Sequence, residues 1–285
     1  MIMDRRTFVL ASAAMAAATP SFAAKSDPFA ALEARHGGRL GVAALDTSTG
    51  TRLAHRADER FPMCSTFKLL VVAAILHNID LGSERQERFI DYSKADLLPH
   101  SPVCLAHLAA GGLTVEQMCE AAVEYGDNTA ANFLLASVGG PEGATNYVRL
   151  LGDSVTRIDR NEPTANTCIP GDPRDTTTPL AMLTDLRALT EGGVLFEDSQ
   201  DLMVSMLKDC QTAQSRIPAG LPASWSSGDK TGTGDHNTAN NIAVIYPPNR
   251  PSIFVAAYYT ESTATPDEQD AVLADVGRIV AASFP

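Results

Sequence analysis

The sequence predicts an α/β plus all-α architecture, with an α/β lobe built from both ends of the chain and an all-helical lobe built from its middle. Two observations carry this. Strand-like runs rich in β-branched and apolar residues occur near the two ends, at 39–45, 51–55, 241–246 and 252–259. Between 61 and 210 the periodic segments are helical, and the pieces joining them are rich in Gly, Pro and Asp. Residues 25–60 and 211–285 then form the α/β lobe and 61–210 the helical one, with a cleft at their junction where a site is commonly found.

The elements follow in order. Residues 1–24 read as an export signal: Arg5 and Arg6 precede an Ala-rich apolar run at 9–18, and Ser21-Phe22-Ala23 is a small-x-small cleavage site. The pattern resembles a twin-arginine signal, with an ordinary secretory signal as the alternative, and either makes the mature chain periplasmic or secreted. Asp27 and Pro28 open a short helix that Gly37 and Gly38 stop. A hairpin turning at Asp46-Thr47-Ser48-Thr49-Gly50 comes next. Helices are predicted over 65–79, 115–125, 128–138, 143–151, 179–190 and 200–210. After the last two strands, Thr265 and Glu268 form a capping box for a final helix with Val272, Val276, Ile279 and Val280 on its buried stripe.

Composition excludes several classes. The 285 residues carry a formal net charge of −12, a surface that repels phosphates, so nucleic acid is not an expected partner. Beyond the signal nothing reads as a membrane span, and a monomer is the default. The cysteines, Cys64, Cys104, Cys119, Cys168 and Cys210, are odd in number and lack C-x-x-C spacing, so neither an essential disulfide nor a zinc site is expected. No cofactor is called for.

Three segments carry chemistry. Ser65-Thr66-Phe67-Lys68 opens a predicted helix, where i, i+3 spacing sets hydroxyl and ammonium on one face and the helix N-terminus aims backbone N–H groups at a developing oxyanion. A desolvated lysine there can deprotonate the serine; the bland reading is a capping serine with a surface lysine. Lys230-Thr231-Gly232, leading through Thr233 and Gly234 into a strand, offers a cation, a hydroxyl and a backbone N–H to an anionic substrate, with Gly232 letting the substrate lie close; otherwise it is a turn. Residues 160–175 lack periodicity, as a functional Ω-loop or an exposed acidic loop does. An Arg160–Asp175 ion pair would close its base and carry Glu162 and Asn166 into the cleft to hold a water.

Together, and with Asn128-Thr129-Ala130-Ala131-Asn132 and Gly171-Asp172-Pro173-Arg174-Asp175, these segments resemble the class A serine β-lactamases across the whole mature chain. The resemblance implies an antiparallel five-stranded sheet flanked by helices with an inserted helical lobe, and hydrolysis of penicillins or cephalosporins, conferring β-lactam resistance. It implies Ser65 as nucleophile, the backbone N–H groups of Ser65 and Thr233 as oxyanion hole, and Lys68 and Glu162 as bases for acylation. Glu162 with Asn166 would activate the deacylating water. Asn128 would bind the substrate's acylamino side chain, and Lys230, Thr231 and Thr233 its carboxylate. Asn132 would brace the loop, and the Glu162–Pro163 bond would be cis.

The chain also departs from that pattern. Gly126-Asp127-Asn128 stands where S-D-N is usual, removing the hydroxyl that relays a proton to the departing ring nitrogen, so slower acylation is expected unless water substitutes. Ala239 replaces a common arginine, and Arg216 is expected to supply the guanidinium for the substrate carboxylate; an exposed helix-end arginine is the alternative. His100 sits at the gate, usually a broad aromatic. Cys64 precedes the nucleophile as in some carbapenemases, but Gly234 occupies the place of its usual cysteine partner. A penicillin-binding peptidase that releases slowly, lacking the Glu162–Asn166 loop, and a non-catalytic β-lactam or peptidoglycan sensor, supported by Gly126 alone, are the competing readings.

Overall fold

A computed structural model describes residues 27–284, so the export signal lies outside the described residues. Asp27 caps the first helix, Pro28–His36, accepting from the backbone of Phe29 and Ala30, and Gly37 ends it with φ 69°. The chain then builds strands β1 (Arg39–Asp46) and β2 (Arg52–His55), and, nearly 170 residues later, β3 (Ser226–Gly234), β4 (Thr238–Tyr246) and β5 (Ile253–Thr260). They form one antiparallel sheet in the order β2-β1-β5-β4-β3.

Alternation along the strands divides the core. Val42, Ala44, Ala243, Ile245, Val255 and Ala257 face one side, packing with Phe29 and Leu32 of the first helix and Val272, Val276 and Val280 of the last, Pro266–Ser283. Ala43, Leu45, Val244, Phe254, Ala256 and Tyr258 face the other and join the core of the helical region. Because both faces are covered, β4 and β5 are buried along nearly their whole length rather than at alternate residues. Ile279, predicted as fully buried, is only partly so, and Leu273 takes its place.

In the helical region, Phe67–Asp80 is buried on every side from Phe67 to Leu76, which makes it the central post around which Val115–Glu124, Asn128–Ser137, Gly140–Leu150, Pro179–Glu191 and Glu197–Lys208 pack. The predicted starts at 143 and 200 come three residues late: the αL glycine Gly139 precedes the first helix, and Glu197 and Asp198 begin the second with favourable charge. Lys230-Thr231-Gly232, expected to lead into a strand, lies inside β3 itself, which excludes the alternative of an ordinary turn. That strand is built of Ser, Gly, Asp, Lys and Thr and has poor intrinsic β-propensity; pairing with β4, not composition, makes it extended.

Two devices fasten sheet and helices around the cleft. Phe61–Pro62 pairs with Thr176–Thr177, joining the segment before Ser65 to the end of the 160–175 loop. Asn240 on β4 donates through Nδ2 to the carbonyls of Pro62 (2.9 Å) and Met63 (3.0 Å). No helix among the described residues is long and apolar enough to cross a membrane.

Candidate active site

Ser65 lies in a single 3-10 turn, Cys64–Thr66, that leads into the helix Phe67–Asp80, so it stands just ahead of the α-helix predicted to contain it. Cys64 adopts φ 46°, a left-handed step that turns the chain sharply into Ser65. Lys68, one turn on, is fully buried; its Nζ donates to Gly126 O (2.7 Å) and Asn128 Oδ1 (2.6 Å) and stands 3.0 Å from Glu162 Oε1. Burial draws the ammonium below its ordinary pKa, and the facing carboxylate opposes that fall. Ser65 Oγ donates to the same Glu162 oxygen at 3.1 Å. One carboxylate oxygen thus faces both the hydroxyl and the amine.

The loop that delivers Glu162 is closed as the Arg160–Asp175 spacing predicts. Arg160 Nε meets Asp175 Oδ2 at 2.5 Å, and Asp175 Oδ1 accepts from the backbone of Asp159 (2.8 Å) and Arg160 (2.9 Å). Asn132 clamps Glu162 from the neighbouring helix, donating to its carbonyl and accepting from its N–H, both at 2.9 Å. The Glu162–Pro163 bond is cis. Asn166 Nδ2 donates to Glu162 Oε2, while Asn166 Oδ1 is buried with no partner among the described residues. A buried acceptor left in this way is costly unless solvent or substrate meets it.

Across the cleft, β3 presents Lys230, Thr231 and Thr233. Lys230 is buried, its Nζ donating to Thr231 O at 3.0 Å, and burial, reinforced by the Lys68 charge, pulls its pKa to about 7. Thr231 Oγ1 pairs with Thr212 Oγ1 at 2.5 Å. Arg216 is not an exposed helix-end arginine: its Nε binds Asp270 Oδ1 (2.8 Å), its Nη1 binds the carbonyls of Gly232 (2.9 Å) and Asn240 (2.8 Å), and its Nη2 reaches Thr233 Oγ1 (2.8 Å). The role of Gly232 differs from the expected one. A Cβ there would fall 2.7 Å from Met63 O and 3.2 Å from Ser65 N, so the glycine admits the turn that carries Ser65, and with it brings the backbone of Ser65 beside that of β3.

Ser65, His100, Gly126, Asn128, Asn166, Thr212, Arg216, Lys230, Thr231, Gly232 and Thr233 line one cleft of about 380 Å³. Every substrate-binding residue named from the sequence is among them. Gly126 has φ +70°; a Cβ would stand 3.5 Å from His100 Nε2 and 3.8 Å from Lys230 Nζ, so a side chain has room but pays for the left-handed backbone. His100 Nε2 lies 3.1 Å from Tyr125 O, anchoring an otherwise exposed ring at the cleft mouth. Sequence reasoning missed Thr212, Asn240 and Asp270, which touch the site only through folding. It also gave Asp127 no role. Asp127 caps the helix Asn128–Ser137 by accepting from Ala130 N, and its other oxygen holds the backbone of Val103 and Cys104; an Asp before a helical run was the available signal. Among the described residues no group of three or more His, Cys, Asp or Glu is arranged to hold a metal ion.

A sequence model of the Beta-lactamase enzyme family matches residues 25–284. Beta-lactamase CTX-M-8 of Citrobacter amalonaticus is 45% identical over 251 residues, covering 88% of this chain and 86% of its own, and Beta-lactamase OXY-1 of Klebsiella oxytoca is 42% identical over 282 residues, 97% of each. Among solved structures, an ancestral class A β-lactamase superposes with a TM-score of 0.89 at 54% identity, over 91% of this chain and 99% of that one.

Proposed function

The chain belongs to the class A β-lactamases and is a β-lactam hydrolase; from that premise we propose that it turns over through an acyl-enzyme on Ser65, with the residues of the cleft in the following roles. Lys68 and Glu162 share the removal of the Ser65 proton: the hydroxyl already contacts Glu162 Oε1, and the same oxygen stands 3.0 Å from Lys68 Nζ. The alkoxide attacks the β-lactam carbonyl, and the oxyanion forms between the backbone N–H groups of Ser65 and Thr233. With Gly126 at the relay position, a water beside Lys230 carries the proton to the ring nitrogen. For deacylation, Glu162 takes the proton of a water that donates its other hydrogen to Asn166 Oδ1, the buried acceptor without a protein partner.

Substrate is held by Asn128 at the acylamino side chain and by Lys230, Thr231 and Thr233 at the carboxylate, with Arg216 adding positive charge behind Thr233. Penicillins and cephalosporins are the substrates, resistance to them the outcome, and a periplasmic or secreted monomer, exported on the twin-arginine signal, the form in which it acts. One contact carries the reading: a single oxygen of Glu162 faces both the Ser65 hydroxyl and the Lys68 ammonium.

Mass spectrometry tests it. On mixing with a slowly hydrolysed β-lactam, an adduct appears on Ser65; in Glu162→Gln, where Lys68 remains as acylation base, it forms more slowly and then persists, with deacylation slowed about 10²–10⁴-fold. An adduct on any other residue, or equal lifetimes in the two proteins, overturns the assignment.

A further inference from the structure

Cys64 and Cys168, 104 residues apart in sequence, bring their sulfurs to 3.2 Å from one another. Both are free thiols and buried. Cys64 adjoins the nucleophile, and Cys168 sits in the Ω-loop two residues beyond Asn166, whose carbonyl it meets at 3.2 Å. A third segment makes the meeting possible: a Cβ on Gly234 would lie 2.6 Å from the Cys168 sulfur and 2.7 Å from that of Cys64. Glycine there, which denies Cys64 a partner on β3, is what admits one from the loop. The remaining cysteines are placed differently, Cys104 and Cys119 in the helical core and Cys210 against Thr212.

We propose that Cys64 and Cys168 are an oxidisable pair, a modification site at which a small peroxide closes a disulfide tying the nucleophile's turn to the Ω-loop. Access is one-sided. A cavity of about 340 Å³ on the outer side of the loop is lined by Cys168, with Arg60, Arg160 and Arg174 around it, and does not reach Cys64. Cys64 is fully buried beside Glu162, and burial raises its thiol well above the ordinary value, so the sulfur that lines the cavity, Cys168, is the one a peroxide meets first.

The Cys168 thiolate attacks one oxygen of hydrogen peroxide. The O–O bond breaks, the departing hydroxide takes up a proton to leave as water, and Cys168 becomes a sulfenic acid. Cys64 then gives up its proton and displaces hydroxide from the Cys168 sulfur, forming the S–S bond and a second water. Two thiols and one peroxide yield one disulfide and two waters; the thiols lose two electrons and the peroxide gains them.

The folded wild-type protein, treated with stoichiometric hydrogen peroxide, then denatured, alkylated and digested without reductant, gives the readout. Two of the five thiols become unreactive, and a linked peptide pair joins Cys64 to Cys168. The melting temperature rises by about 5 °C and dithiothreitol reverses the rise. In Cys64→Ala, peroxide leaves a dimedone-trappable sulfenic acid on Cys168. Five alkylated thiols after oxidation, a link to Cys104, Cys119 or Cys210, or over-oxidation of Cys168 without a link overturns the proposal. Peptide mapping needs no β-lactam turnover, so its failure is separate from any failure of the catalytic reading.

Discussion

Two fully buried lysines flank Ser65, and the chain treats them in opposite ways. Lys68 is given an opposite charge, Glu162 at 3.0 Å, and two further oxygens, so its ammonium is compensated inside the protein. Lys230 has the Thr231 carbonyl and a neighbouring positive charge in Lys68, and its pKa falls to about 7. Burial of a cation costs the same desolvation in either place. The difference is what compensates it: at Lys68 a protein carboxylate does so, whereas no described carboxylate forms an ion pair with Lys230, which under the proposed roles leaves that part to an anionic ligand. Under the proposed roles, equal burial serves two kinds of site, one that holds a base in register and one that recognises a carboxylate.

The largest expected effect separates them by sign. Lys68→Met strands a buried Glu162 without its counter-charge, and kcat/KM falls about 10³-fold or more while stability drops by about 3–5 kcal/mol. Lys230→Met removes an uncompensated buried cation, so stability at pH 7 rises by roughly 1–4 kcal/mol while kcat/KM falls about 10²-fold, chiefly through KM. Denaturant melts and steady-state kinetics on the pair check this; equal destabilisation of both would break the contrast.

A pH profile sharpens it. Because its pKa is lowered, Lys230 is a cation below about pH 7 and neutral above, so kcat/KM for an anionic β-lactam declines as pH rises through that value. Between about 7 and its unfolded value near 10.4 the unfolded chain holds the extra proton, so this group's penalty to folding eases as pH rises. Lys230→Arg stays charged and shifts the decline in kcat/KM to higher pH; an unmoved limb would assign the titration to another group.

The smallest effect belongs to Gly126, whose missing side chain would point between His100 and Lys230. Gly126→Ser places a hydroxyl near the Lys230 ammonium and raises kcat/KM for penicillins, but the φ of +70° costs about 1–2 kcal/mol. The melting temperature therefore falls by about 2–8 °C while activity rises. Activity unchanged or lower would show that water at this position already serves as well as the hydroxyl.

Much of this was legible in the chain. The caps at Asp27 and Thr265, the helical faces, and β1, β2, β4 and β5 all depend on neighbours within a few residues, and local spacing reports them directly. The Arg160–Asp175 pair closing the loop was readable because a long aperiodic segment bounded by opposite charges has few other ways to stay ordered. The strand at 226–234 was not readable, since its polar residues carry no strand signal and its extension comes from pairing with β4.

Sequence alone determined which chemical groups exist and, through the i, i+3 step from Ser65 to Lys68, that two of them lie one turn apart at the head of a helix. Folding decided which distant groups complete them: Thr212 on Thr231, Asn240 on the nucleophile's turn, Gly232 against Met63, and Cys168 beside Cys64. The physical reason is range. Caps and periodicity are fixed by backbone geometry over one or two turns, whereas contacts across a hundred residues arise only when the sheet and the helices share a buried boundary, and no local pattern encodes where that boundary brings them together.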